Sequence, residues 1–241
     1  MVSKSQIKLI TSLGQKKYRQ KNGLFVAEGI KVIQELLNSD FQLEKLFACE
    51  AIFDVSEDQF VLADVRDLKK MSFLKTPQTA LALFKIPQQD LEEVLDELTV
   101  VLDGVRDPGN LGTIIRLCDW FGVKNLVCSK DTVDCFNPKV IQSTMGSITR
   151  VNVVYKNLAE FLQSQDLVSY GTFMEGENVY QKKLRQKAVL VMGNEANGIS
   201  LEIEKLISEK ISIPQFSQSQ ETESLNVATA TAIFLSEFRR K

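Results

Sequence analysis

From residue 98 onward the sequence repeats one pattern: a short apolar run, a loop marked by glycine or asparagine, and then a stretch of roughly a dozen residues at helical spacing. LTVVLDG, KNLVCS, RVNVVY, LVSYGTF and AVLVMG read as strands, with ISIP as a shorter one. LGTIIRLCDWFG, NPKVIQSTMGS, LAEFLQSQ, SLEIEKLIS and ESLNVATATAIFLSEFRRK read as helices between and after them. Strands that are apolar on both faces and alternate with helices require an α/β fold with a mostly parallel sheet covered on both sides. Ligands of such sheets bind beyond the carboxyl ends of the strands, so the loops that follow the strands are where chemistry is to be sought.

A smaller α/β unit precedes this region. GLFVAEG, EKLFACE, FVLAD and TALALFKI have strand character, with helical segments GIKVIQELLNSD and DLKKMSF between them. The acidic stretch PQQDLEEVLDEL follows and reads as a boundary, dividing the chain into residues 1–92 and 93–241.

Composition excludes much chemistry. The 241 residues contain no histidine, which removes Ser-His-Asp and Cys-His nucleophile systems and the H-E-x-x-H zinc proteases. Cys49, Cys118, Cys128 and Cys135 form no C-x-x-C pair, so no metal is expected. No apolar run approaches the roughly 20 residues of a membrane span, and MVSKSQIKLI is too polar for a secretory leader; a cytoplasmic location away from membranes is expected. A net charge of -2 weighs against a nucleic-acid partner. The charge is segregated, however: Lys4, Lys8, Lys16, Lys17, Arg19 and Lys21 lie within residues 1–24 with no acid among them. Ile7, Leu9, Ile10 and Leu13 punctuate this run at helical spacing, which predicts an amphipathic helix. It is either a solvated surface helix or a phosphate-contacting arm carrying Lys16, Lys17 and Arg19.

Three strand-end loops carry polar residues in a fixed order. DGVRDPGNLGTIIR turns at Pro108-Gly109, and Asn110 is placed to cap a helix that carries Arg116. VLVMGNEANGIS ends a strand at Gly193-Asn194-Glu195, without the G-x-G-x-x-G of dinucleotide sites. ISIPQFSQSQETESLNVATA leads from Ile213-Pro214 to Ser224-Leu225-Asn226 at the start of the last helix, where Ser or Asn also reads as a cap. Taken one at a time, each loop is explained by turn and cap chemistry.

Taken in order, Asn110-x-Gly112-x-x-x-Arg116, Gly193-Asn194-Glu195-x-x-Gly198 and Ile213-Pro214 followed by Ser224-Leu225-Asn226-Val227-Ala228 resemble the three motifs of the SpoU/TrmH-like RNA 2'-O-ribose methyltransferases of the SPOUT class. IKLITSLGQKKYRQKNGLFVAEGIKVIQELL resembles the accessory substrate-binding domain of rRNA-directed members, a small ribosomal-protein-like α/β RNA-binding fold. The resemblance implies a C-terminal trefoil knot, a homodimer, and S-adenosylmethionine as methyl donor. It places Gly193, Ile213 and Leu225 at the donor, and Asn110, Arg116, Glu195, Ser224 and Asn226 around the reacting ribose and phosphate. It favours rRNA, 23S above all, over tRNA. The competing readings are a tRNA methyltransferase, a non-catalytic RNA-binding or ribosome-assembly factor on the same fold, and an oxidoreductase, which the missing glycine fingerprint disfavours. One departure stands out: QFSQSQETE, between Pro214 and Ser224, contains no glycine where relatives have a short glycine-containing link.

Overall fold

The computed structural model describes residues 2–88, 97–217 and 224–240. The chain forms two compact units, Met1–Gln88 with Asp134–Thr149, and Gln89–Val133 with Arg150–Lys241. Most of the acidic boundary stretch, residues 89–96, lies outside the described residues.

The first unit begins with two short helices in place of the single helix that the spacing predicts. Helix α1 (Lys4–Ser12) opens on a capping box, Ser3 Oγ accepting from the Gln6 amide while the Gln6 side chain accepts from the Ser3 amide. The chain turns at Leu13–Gln15, and α2 (Lys16–Asn22) follows, closed by Gly23 at φ 63°. Next come β1 (Leu24–Glu28), α3 (Ile30–Leu37), β2 (Leu43–Ala48), β3 (Phe60–Leu62), α4 (Val65–Met71) and β4 (Ala80–Lys85). The sheet order is β1-β4-β2-β3, with β4 antiparallel to both neighbours and β2 parallel to β3. Ile10 and Leu13 from the N-terminal turn pack with Val26, Phe47, Leu68 and Leu81 in one buried cluster, which fixes α1 on the sheet.

The second unit is built on six parallel strands, as the doubly apolar runs require. Strand β5 (Thr99–Leu102) leads to α5 (Pro108–Trp120) and β6 (Asn125–Cys128). The chain then joins the first unit through Asp134–Thr149, which contains α6 (Pro138–Thr144) and a short 3-10 turn. There Phe136 packs with Phe25 and Phe41, and α6 lies against β1. Back in the second unit come β7 (Asn152–Tyr155), α7 (Leu158–Ser164), β8 (Ser169–Asn178), β9 (Val189–Met192), α8 (Leu201–Glu204), β10 (Glu209–Ser212) and α9 (Val227–Arg239). The order is β10-β8-β9-β5-β6-β7, so β9 and β5 are central. Helices α5 and α9 pack together, and among the described residues no helix is long and apolar enough to cross a membrane.

Candidate active site

The three loops singled out by their order follow strands of the second unit. Strand β5 ends at Asp103-Gly104, where Gly104 takes φ 74° and donates its amide to Ser129 Oγ at 2.9 Å. The cap of α5 is Asp107, not Asn110: Asp107 Oδ1 accepts from the Asn110 amide at 2.9 Å, and Pro108 fills the first helical position. The correction matters, because Asn110 then sits inside the first turn with its carboxamide free for other partners. It donates from Nδ2 to Glu195 Oε1 at 2.9 Å and accepts at Oδ1 from Asn226 Nδ2 at 2.9 Å.

Glu195 is held at the end of β9 by a tight loop. The Gly193 position has no room for a side chain, since a Cβ would be driven into the backbone of Gly198 and Ile199. Asn194 and Gly198 exchange backbone hydrogen bonds at 2.8 and 2.9 Å, with Gly198 at φ 68°. Asn194 Oδ1 accepts from the amides of Ala196 and Asn197, while Nδ2 donates to the Gly104 carbonyl at 2.5 Å. Asp103 Oδ2 likewise accepts from the Ser200 amide at 2.7 Å. The first and second loops are therefore stitched together by a side chain from each bonding the backbone of the other.

The third loop delivers Asn226 as the cap of α9, its Oδ1 accepting from Ala228 and Thr229. One side chain thus both starts the helix and reaches Asn110. The result is a continuous line, Asn226 to Asn110 to Glu195, joining all three motifs across sequence separations of 116 and 85 residues. Every amide donor and acceptor in that line is oriented by a helix start or a strand end, which makes the carboxylate of Glu195 a preorganised acceptor at the surface of the site.

Two expected residues stand apart. Arg116 is exposed and makes no hydrogen bond or ion pair among the described residues. It lies six residues beyond Asn110, about 9 Å along the axis and roughly a third of a turn around it, on the face that carries Thr113 and Trp120. Ser224 is exposed and equally unpartnered among the described residues. Ile213 is half-buried at the end of β10, and Leu225 is 48% exposed, an aliphatic side chain with nothing packed over half of it. A side-chain-free glycine, a strand-end backbone and an uncovered aliphatic chain suit a ligand held by its apolar parts and by backbone groups. Residues 218–223, most of the glycine-free link, lie outside the described residues.

A cleft of about 230 Å³ opens over the ends of β5, β6 and β7, with Lys130, Lys156, Asp103 and Asp131 in its lining. Asp131 is held below the usual carboxylate range, first by the Ser129 hydroxyl at 2.6 Å and further by Arg106, against a smaller opposing effect of burial. Among the described residues no group of three or more His, Cys, Asp or Glu could hold a metal. Asn194, Asp103 and Asp107 are functional scaffolding that residue types alone did not single out. For Asp107 a signal was present, since Asp followed by Pro is the ordinary start of a helix.

Residues 97–236 match the SpoU rRNA Methylase family, well over half of the chain. The chain belongs to the SpoU rRNA methylase family. Residues 4–82 match the MRM3-like substrate binding domain. The 23S rRNA (guanosine(2553)-2'-O)-methyltransferase RlmP of Bacillus subtilis is 29% identical, over 94% of this chain and 93% of its own. A solved structure from Porphyromonas gingivalis, assigned to the TrmH family of RNA methyltransferases, superposes with a TM-score of 0.89 at 37% identity, over 99% of this chain and 98% of that one. An S-adenosylmethionine-bound rRNA methyltransferase from Sinorhizobium meliloti gives 0.87 at 28% identity, over 99% and 96%. As a SpoU family chain it has its motif residues Asn110, Glu195 and Asn226 in direct contact.

In the first unit the basic arm is only partly available to a ligand. Lys16 and Lys17 are exposed. Arg19 is not: its side chain is 2% exposed, with Nε at 2.9 Å and Nη2 at 2.5 Å from Asp134 Oδ2, and Nη1 at 2.8 Å from the Leu13 carbonyl. The expectation that Arg19 contacts RNA is therefore corrected, because its charge is already neutralised inside the unit.

Proposed function

We propose that this chain transfers a methyl group from S-adenosylmethionine to a ribose 2'-hydroxyl of RNA, with 23S rRNA as the substrate. The observation that carries the reading is the hydrogen-bonded line from Asn226 through Asn110 to Glu195, which assembles three distant motifs beyond the carboxyl ends of the central strands. Gly193, Ile213 and Leu225 hold the donor, through backbone and aliphatic surface. Bound there, the donor supplies a methyl group on an already activated sulfonium leaving group. What remains for the chain is orientation, a large term when the reacting atoms are aligned, and management of charge on the ribose oxygen. Asn110 and Asn226 keep Glu195 in one position, where its free lone pairs accept from the ribose. Arg116, whose guanidinium has no partner among the described residues, clamps a substrate phosphate and stabilises charge as the hydroxyl loses its proton to a phosphate oxygen or water. Ser224, two residues before Asn226 in the chain, contacts the same ribose.

The division of labour follows the sequence boundary, residues 1–92 gripping RNA with Lys16 and Lys17 and residues 93–241 carrying the transfer. The family's knotted C-terminus and homodimer belong to the same reading. Strand β10 is at the sheet edge, yet α9 begins at Asn226 against Asn110 beside the central β5, which supports a threaded return. Trp120, 84% exposed at the last turn of α5, supports a second copy packed on that end of the helix.

The test is incubation with methyl-labelled donor and separated 16S, 23S and tRNA fractions. Label is expected in 23S rRNA. Label in tRNA would move the substrate assignment, and donor binding without transfer to any fraction would favour a ribosome-assembly factor on this fold.

A further inference from the structure

The groove between α1 and α2 is not part of the motif site and has its own chemistry. It is an open groove of about 570 Å³, a volume within the roughly 300 to 1,000 Å³ of small-ligand sites. Ser5, Lys8, Leu9 and Ser12 line it from α1 at spacings of three, four and seven residues, so they share one helix face. Gln15, Tyr18, Lys21 and Asn22 line it from the start and body of α2 at the same spacing. The break at Leu13–Gln15 turns these two faces toward each other, which one continuous helix could not do.

The hydroxyls of Thr11 and Ser12 are spent on backbone carbonyls of their own helix, and Asn22 donates to the Tyr18 carbonyl. Four polar ends are not spent. The ammonium groups of Lys8 and Lys21, the Gln15 carboxamide and the Tyr18 hydroxyl make no hydrogen bond or ion pair among the described residues. The Lys17 ammonium sits 4.8 Å from the centroid of the Tyr18 ring, braced by cation–π attraction, and Leu9 adds apolar surface. Among the described residues no acid lines the groove.

Two cations, an aromatic ring, a two-sided amide and an apolar wall are what an unpaired nucleotide requires: a phosphate neutralised, a base stacked, a base edge read. A base in an A-form duplex is stacked and paired and cannot enter a cleft between helices. We infer that this groove is a socket for one unpaired nucleotide of a single-stranded RNA segment, with the base stacked on Tyr18 and read by Gln15, and its flanking phosphates on Lys8 and Lys21. The inference rests on the reading that RNA is the substrate, and it adds that the recognised segment is a loop or bulge instead of a helix.

The experiment uses the full chain and a fluorescein-labelled single-stranded RNA, with a blunt duplex of the same length as the comparison. The single strand is expected to bind at least tenfold more tightly than the duplex. Tyr18→Ala loses about tenfold in single-strand affinity and Tyr18→Phe keeps most of it, since the base is held by stacking on the ring. Lys8→Gln and Lys21→Gln each lower the slope of log affinity against log salt by about 0.7. Photocrosslinking of a 5-iodouridine-substituted strand to the unmutated chain is expected to mark Tyr18, a readout that does not depend on any variant folding. Equal affinity for the duplex, full affinity in Tyr18→Ala, or crosslinks confined to other residues would each overturn the socket. Donor binding is measured alongside: its absence from the unmutated chain would sink the methyl-transfer reading while leaving the socket to be judged on the RNA data alone.

Discussion

Arg19 shows how a single residue's role can invert between sequence and structure. In the sequence it is one of six cations in a basic arm; in the fold it is the buried partner of Asp134 and the support of the Leu13 carbonyl. Removing it strands a carboxylate that is itself mostly buried. Arg19→Ala should therefore cost about 3 kcal/mol or more of unfolding free energy by denaturant titration, while Lys21→Ala, exposed and unpartnered among the described residues, stays within about 0.5 kcal/mol. An equal and small effect of both would contradict the burial. Asn226 gives the opposite lesson. Its identity as a helix start was legible, but its second bond to Asn110 was not, because that contact spans 116 residues and no local pattern encodes it. Asn226→Ala should lose both, about 1 kcal/mol of cap stability and the greater part of transfer rate, with a thermal melt and a rate assay read on the same sample. Gly193→Ala is expected to abolish donor binding, because its Cβ meets backbone that cannot step aside; calorimetric titration with S-adenosylmethionine checks it.

At the scale of elements, the strands and long helices were readable because period 2 and period 3.6 are local properties, whereas breaks and allegiances are set by tertiary contacts. The N-terminal arm reads as one helix until Gly14 is seen under Phe73, whose ring lies 2.7 Å from where a Cβ would stand. Residues 134–149 carry ordinary helical spacing, yet Phe136, packed on Phe25, gives them to the first unit. Another long-range link fixes the turn after α4: Glu28, at the end of β1, accepts from Ser72 Oγ at 2.5 Å and from the Phe73 amide at 2.8 Å. Burial pushes the Glu28 carboxyl above its ordinary value of 4.5, outweighing the lowering by those two bonds. A raised folded-state pKa means that folding takes up a proton, so this contribution is full below 4.5 and is lost as pH rises through the folded-state value. Denaturant midpoints of the unmutated chain and of Glu28→Gln, compared across about pH 4 to 7, should show the unmutated chain losing stability relative to the variant as pH rises. A difference that does not change with pH would contradict the assignment.

For the whole molecule, the missing histidine excludes triad and zinc-protease chemistry, and the acidic total weighs against a nucleic-acid partner. The fold accommodates both: a pre-activated donor leaves the chain only orientation and electrostatics to provide, and α1 and α2 form one segment that carries cations and no acid within an acidic total. Self-association belongs to this scale as well. Trp120→Asp should convert a dimer to a monomer in sedimentation velocity, and a chain that is monomeric before the change would contradict the second-copy reading. The central claim concerns which oxygen receives the methyl group, and alkali decides it, because RNA hydrolysis needs a free 2'-hydroxyl. RNA labelled by this chain and digested with base should release its label in alkali-resistant dinucleotides; label released in mononucleotides would mean that a base, not a ribose, had been methylated.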